Sequence, residues 1–422
     1  MENLLIKNAK IVSPSGSENV DILIKDGVVA QLGNNMEKTN CRVIDAEGLY
    51  AIPGLVDMHV HLRDPGFTQK EDIITGCKAA AAGGVTSLLA MPNTKPTTDS
   101  AQTVEYILNK SQNADARVYV SASITKELKS EEPTDILELK KAGAIALSDD
   151  GRPVINTRFL SEAMQTASQL GMRVVAHCED LFLADGGIIN EGAVSKKLGV
   201  KGIPAAAEDC GTAREIALAA ALDVPVHICH VSTKTSVALI RDAKARGVNV
   251  TAETAPHYFS LTEDELLKRD ADFRMNPPLR TKEDVLAIIE GLQDGTIDAI
   301  ATDHAPHTPE EKADFEKSPN GSIGMETSLS VGITYLVKTG LLTLEQLVEK
   351  MSVKPAEILN IPAGKIAVGE NADIALVDLS EVWTVDENKL HGKSKNTPFK
   401  GRSLTGKVKT TILGGRIVFE DC

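Results

Sequence analysis

Apolar positions along the chain fall into two patterns of different period. Over the first fifty residues they form short runs, Leu4-Leu5-Ile6, Lys10-Ile11-Val12, Val20-Asp21-Ile22-Leu23-Ile24 and Val28-Val29-Ala30, broken by Gly, Asn and Ser. Runs of that kind predict strands. The last sixty residues behave alike. Residues 372–378 predict a strand, and residues 407–413 and 416–419 predict a hairpin, with Gly414-Gly415 supplying positive φ at its turn. Between these ends strand and helix alternate. Eight apolar runs predict strands at 55–61, 85–90, 118–120, 144–147, 174–176, 226–229, 248–251 and 297–301. Helical patterns separate them, as at 70–82 (stopped by Gly83-Gly84), 159–170 and 210–222. Eight successive β/α units predict an α/β fold of the TIM-type (β/α)8 barrel class. A doubly wound open sheet is the alternative, but no Gly-x-Gly-x-x-Gly turn follows the first of these strands. Barrel termini lie close together, so the two β-rich ends are expected to pair as a small composite β-sandwich domain. Residues 1–52 plus 363–422 would form it, and residues 53–362 the barrel.

Composition narrows the picture only modestly. The 42% apolar and 25% charged content is that of an ordinary globular chain. No apolar run approaches the roughly 20 residues of a membrane helix. Met1 to Lys7 reads as a first strand and not as a signal peptide, so a cytoplasmic location is expected. The net charge of -14 disfavours nucleic acid and anionic lipid. A small anionic substrate stays possible where a pocket supplies local positive charge. The six cysteines include no Cys-x-x-Cys pair and read as buried free thiols. Residues 306–324 form the longest turn-rich stretch, of the kind used as a lid or binding loop.

Candidate chemistry sits at the ends of the barrel strands. His59 and His61 are two apart, so period two puts both on one face, where two imidazoles can grip one divalent ion. His177 and His230 end the fifth and sixth strands, at the carboxyl rim where barrel active sites form. Asp303 ends the eighth; a carboxylate there can bind a metal and also take a proton from water. Two imidazole pairs need a bridge between two metals. Asp149 and Asp150 end the fourth strand, only one can face inward, and Asp150 is the choice. Asp149 then reads as part of a solvated turn before Gly151. His304 should point away from the axis if Asp303 points in. His227 reads as packed within its strand, His257 as lying in a loop able to face the mouth, and His391 as a surface residue.

These residues carry a family likeness. The run from His59 through Arg63-Asp64-Pro65-Gly66, with Met91-Pro92-Asn93-Thr94, Glu253 to Tyr258, Asn276-Pro277-Pro278-Leu279-Arg280 and Asp303-His304-Ala305-Pro306-His307, resembles the dihydroorotases of the amidohydrolase superfamily, in their longer bacterial form. The likeness implies two zinc ions: one held by His59, His61 and Asp303, the other by His177 and His230, with a carboxylate between. Many relatives use a carboxylated lysine as that bridge; here Ser148-Asp149-Asp150-Gly151 stands instead, which makes Asp150 the bridge. The likeness also implies that Arg63, Asn93 and His307 hold a substrate carboxylate and that Asn276 contacts the ring. A structural salt bridge for Arg63, a turn for Asn93 and a loop or capping role for His307 are the alternatives. The implied activity is reversible, zinc-dependent cyclisation of N-carbamoyl-L-aspartate to L-dihydroorotate in pyrimidine synthesis, with Asp303 moving the proton. A homodimer, and association with aspartate transcarbamoylase, go with the family. The rivals are a hydantoinase- or allantoinase-type cyclic amidase and an inactive scaffold subunit of the transcarbamoylase.

Overall fold

The structure is a computed structural model that describes residues 3–13, 16–37 and 41–421. From the N-terminus come β1 (Leu4–Ser13), β2 (Gly16–Lys25), β3 (Val28–Gly33), β4 (Arg42–Asp45) and β5 (Tyr50–Pro53). The barrel strands follow: β6 (Leu55–Val60), β7 (Val85–Ala90), β8 (Arg117–Ala122), β9 (Ala146–Leu147) and β10 (Arg173–Ala176). A two-stranded ribbon, β11 (Ile189–Asn190) and β12 (Gly202–Ile203), precedes the last three barrel strands, β13 (Val226–Ile228), β14 (Val250–Thr254) and β15 (Ala299–Ile300). The chain ends in β16 (Ile374–Thr384), β17 (Ser403–Leu413) and β18 (Arg416–Glu420).

Strands β6 to β10 and β13 to β15 pair in parallel and in sequence order. The ring closes just beyond β15, where His304 bridges to Val60 in parallel and the His61 N–H donates to the His304 carbonyl at 2.9 Å. Asp57 reinforces that seam by accepting from both the backbone N–H (3.0 Å) and the hydroxyl (2.5 Å) of Thr302. Alternation along the strands sorts two cores. Val56, Met58, Leu89, Ala146, Val175, Cys229, Ala299 and Ala301 fill the interior. Leu55, Leu88, Leu147, Val174 and Ile228 face the surrounding helices. Burying each such aliphatic side chain contributes about 1.5–3 kcal/mol.

The helices begin where the sequence offers caps. Helix Ile73–Ala82 starts at Asp72, whose carboxylate accepts from the N–H groups of Ile74 and Thr75, and it stops at Gly83. Gly84, at φ 81, then starts the turn into β7. Helices Thr157–Gln169 and Ala205–Leu222 match the other two helical patterns, the latter beginning five residues earlier than its spacing predicted. Strand β9 is only two residues long, and β14 starts two residues later than read and ends three later. Both are edges where short apolar runs leave the boundary ambiguous.

The two chain ends share one mixed sheet, ordered β18-β17-β16-β5-β1-β2-β3, with β4 also on β1. Its own core includes Leu4, Ile6, Ile22, Ile24, Val29, Ile374, Leu376 and Ile412. The β17–β18 hairpin turns at Gly414 and Gly415, with φ of 53 and 76. The expected first strand begins at Leu4; Met1 and Glu2 lie outside the described residues, as does Cys422. Cys41, Cys77, Cys178 and Cys229 are buried free thiols, whereas Cys210 lies exposed on its helix, contrary to the reading of all six as buried. Among the described residues no helix is long and apolar enough to cross a membrane.

Candidate metal centre and its substrate wall

Local backbone geometry decides which strand-end side chains reach the mouth. Val56 and Met58 point into the barrel, so unbroken alternation would send His59 and His61 outward. The β6–β7 register shifts between Asp57 and Val60, and the irregularity re-aims both imidazoles inward. Beyond β9 and β10 alternation suffices: Ala146 and Val175 face the interior, and so do Asp150 and His177. His230 follows the interior-facing Cys229 directly and reaches the same space through left-handed backbone at φ 33. Arg63 (φ 61) and Asp303 (φ 49) adopt that region too. Such conformations cost of order 1–3 kcal/mol each in non-glycine residues and concentrate at functional sites.

The groups converge on Asp150. Its Oδ1 lies 3.2 Å from His59 Nε2, 3.6 Å from His177 Nδ1 and 3.7 Å from His230 Nε2, and its Oδ2 lies 3.5 Å from His61 Nε2. Asp303 Oδ1 sits 3.1 Å from His61 Nε2 and 3.6 Å from His59 Nε2. His177 Nδ1 and His230 Nε2 face each other at 2.9 Å. Two ligand groups result, His59–His61–Asp150 and Asp150–His177–His230, which share only Asp150. A third buried group, His59–Cys229–Glu253, lies beneath.

The donor set fits a cation. His59 Nε2 and Asp150 Oδ1 are fully buried and find no hydrogen bond of usable geometry, although they are 3.2 Å apart. Buried polar atoms without hydrogen bonds are costly, and converging imidazole and carboxylate lone pairs are what a divalent ion satisfies. Burial by itself raises the Asp150 carboxyl, yet His59 and the two further imidazoles hold it well below the usual carboxylate value. Asp303 behaves the same way: burial opposes ionisation, but the hydrogen bond to His61 and the nearby His59 keep it ionised.

Carboxylates fix the ligands from the far side. Glu253 Oε1 accepts from His59 Nδ1 at 3.0 Å, and its Oε2 lies 3.3 Å from His227 Nε2. Burial would raise this carboxyl, but His227 and His59 bring it to about 2. Glu179 lies 3.1 Å from His177 Nε2 and accepts from Asn276 Nδ2 at 3.1 Å. Sequence reading missed both carboxylates as well as Asp57. The only signal was an acidic residue in or beside an apolar strand, Asp57 and Glu253 inside strands and Glu179 two residues after His177.

One cleft of about 250 Å³ is lined by nine of the ten residues singled out from the sequence; His59 lies below its floor, wholly buried. Arg63 forms one wall. Its Nε donates to the Pro306 carbonyl at 3.2 Å and its Nη2 lies 3.3 Å from His307 Nε2. Burial lowers the guanidinium to about 10, against the pull of Asp303 and Asp150, so it stays charged at neutral pH. Asn93 spans the two parts of the site, 2.8 Å from His61 Nδ1 through Oδ1 and donating to Asp150 Oδ2 at 3.3 Å. His307 also contacts Glu311 (3.1 Å) and the Asn320 carbonyl (3.0 Å).

Asp149 is not in a solvated turn: it is buried and accepts from the N–H groups of Ile124 and Thr125, tying the fourth strand end to the third. His257 is not in a loop but opens helix Pro256–Ser260, buried against Tyr258, and burial lowers its imidazole to about 4. His304 turns away from Asp303 and accepts from the Gly324 N–H at 3.2 Å. His227 bonds to Thr251 on the neighbouring strand, and exposed His391 pairs with Glu326.

Relatives of known name bear on this geometry. The family model described as Dihydro-orotase-like matches residues 48–236. Dihydroorotase of Acetivibrio thermocellus is 50% identical over 422 residues, covering 99% of each chain. That of Geobacter metallireducens is 50% identical over 423 residues, covering 99% of this chain and all of its own. Among solved structures, L-hydantoinase (dihydropyrimidinase) from Arthrobacter aurescens superposes with a TM-score of 0.90 at 28% identity, covering 100% of this chain and 96% of its own. The barrel and terminal sheet are thus common to several cyclic-amide hydrolases, while half of all residues are shared, end to end, with one group of them: the chain belongs to the dihydroorotase family.

Proposed function

We propose that the chain catalyses the reversible cyclisation of N-carbamoyl-L-aspartate to L-dihydroorotate, with loss of water, in pyrimidine synthesis. One observation carries this reading: the buried imidazole–carboxylate centre and a wall of Arg63, Asn93 and His307, cationic through Arg63, line the same cleft. His59, His61 and Asp303 would hold one zinc ion, and His177 and His230 a second, with Asp150 between them. When bound, such ions polarise a carbonyl and lower the pKa of water.

The chain's own groups do the rest. Arg63 presents a planar fork suited to a carboxylate, with Asn93 and His307 alongside. Asn276, held by its hydrogen bond to Glu179, would contact the ring. In ring opening, Asp303 takes the proton of the attacking water and delivers it to the departing ring nitrogen; ring closure reverses the transfers. No covalent intermediate is needed, and none of the buried cysteines lines the cleft.

A second reading, a hydantoinase-type amidase, draws on the structural likeness to L-hydantoinase. Simple hydantoins lack the ring carboxylate that Arg63 would meet. Turnover of L-dihydroorotate and of unsubstituted hydantoin by the purified chain, with elemental analysis, separates the two. Preference for the hydantoin would overturn the first reading, and a chain carrying no metal would overturn the zinc assignment. A cytoplasmic homodimer that associates with aspartate transcarbamoylase goes with this reading; sedimentation of the chain with and without the transcarbamoylase tests the assembly.

A further inference from the structure

Between β16 and β17 the chain leaves the terminal sheet and touches both loops that carry the substrate wall. The first contact is with the loop after β6, which bears Arg63. The Lys393 N–H donates to Glu71 Oε2 at 3.1 Å, Lys393 Nζ donates to the Thr68 carbonyl at 2.7 Å, and its ammonium pairs with Asp72. Ser394 Oγ donates to the Lys70 carbonyl at 2.6 Å. Two residues on, the same segment reaches the loop after β15, which bears His307. There the buried side chain of Asn396 accepts from the His307 N–H at 3.1 Å and donates to the carbonyls of Ala305 (3.3 Å) and Gly321 (3.0 Å). Its backbone carbonyl takes the Ile323 N–H at 3.1 Å.

One amide therefore holds both ends of the loop around His307. Gly321 follows Asn320, whose carbonyl touches His307 Nε2 at 3.0 Å. Gly321 itself, at φ 136, packs so closely that a Cβ would lie 2.8 Å from that of Ala305. Lys312 shares the Gly321 carbonyl, at 2.9 Å, and with the Gly321 N–H (2.9 Å) also reaches the Arg274 carbonyl, at 3.3 Å, so the Gly321 end of the loop is tied to the segment before Asn276 as well. Asn396 differs in that it comes from outside the barrel and bonds the His307 end and the Gly321 end together. Its pattern of one acceptor and two donors is what an amide offers and a carboxylate does not. Asn396 does not line the cleft, so it acts through His307 and not on substrate.

We propose that Asn396 is a positioning residue for the carboxylate-binding wall: with Lys393 and Ser394 it sets His307 against Arg63, so that substrate recognition depends on a segment contributed by the C-terminal sheet. The inference rests on the wall's assignment to the ring carboxylate. N396A removes all three side-chain hydrogen bonds, and N396D keeps the acceptor while losing both donors. Both variants of the full chain are compared with the unaltered protein in steady-state turnover of L-dihydroorotate, with metal content measured in parallel. Each is expected to raise KM about ten- to a hundred-fold, the size of losing one or two hydrogen bonds to a charged ligand. Turnover number should stay within about three-fold and metal content unchanged, because the six metal-side groups do not contact Asn396. An unchanged KM in the soluble variants, with or without a lower melting temperature, would reduce Asn396 to a packing residue and overturn the proposal. A loss of metal and turnover at constant KM would overturn it too, by moving the effect to the floor. If N396A does not fold, N396D carries the same comparison. An unaltered protein inert toward dihydroorotate would overturn the functional reading first and this inference with it, whereas an active protein with insensitive variants overturns the inference alone.

Discussion

The floor of the cleft and its wall are held in place by different parts of the chain. His59, His61, Asp150, His177, His230 and Asp303 sit at or just past the ends of barrel strands, and Glu253 and Glu179 brace two of them from the far side. Arg63, Asn93, Asn276 and His307 sit on the loops beyond, braced by the Pro306 and Asn320 carbonyls, by Glu179 and, through Asn396, by the C-terminal segment. A floor built on hydrogen-bonded strands can stay constant while loops vary, and barrel enzymes diversify in that way. The solved L-hydantoinase has the same fold at 28% identity; the proposed function assigns the choice of substrate to the wall.

Changes to the floor should abolish chemistry, and changes to the wall should cost affinity. The largest effect is expected from Asp150→Ala, because Asp150 alone belongs to both ligand groups. Metal content and turnover should both collapse; retention of two ions per chain would contradict its bridging place. Asp303→Asn comes next. Losing a proton-transfer group lowers turnover by about 10²–10⁴-fold, and near-normal rates in a metal-loaded variant would remove Asp303 from that role. Arg63→Ala should raise KM for dihydroorotate about ten- to a hundred-fold, as expected for one charge-assisted contact, while metal content holds. A drop in bound metal instead would place Arg63 in the floor. Glu253→Gln is the mildest: weakening the brace on a ligating histidine lowers metal affinity about 10–100-fold. Chelator competition measures this directly, and an unchanged affinity would make Glu253 a packing residue.

Much of the floor was legible because period-two strands ending in His or Asp leave a mark in the sequence. The barrel's eight repeats were legible for the same reason, although β9, with two residues, was almost too short to register. What did not show is backbone geometry. Strict alternation would have hidden His59 behind Met58; only the register shift brings it inward. Likewise, nothing in the sequence marks the left-handed turn at His230. The bracing carboxylates were obscure for another reason. Glu253 meets His59 across 194 positions, and Asp57 meets Thr302 across 245, so neither pair has a local pattern. Asp149 illustrates the opposite error: a polar residue before glycine looks like a solvated turn until its buried N–H partners are known.

The most direct test is the ratio of kcat/KM for L-dihydroorotate to that for 5,6-dihydrouracil, the same ring without its carboxylate, measured on the metal-loaded chain. A site built to bind a charged group rejects an analogue lacking it by about 10⁴-fold or more, and a ratio of that order is expected here. A ratio near or below one would mean that Arg63, Asn93 and His307 do not read a carboxylate, and would contradict the division of the cleft into a catalytic floor and a selective wall.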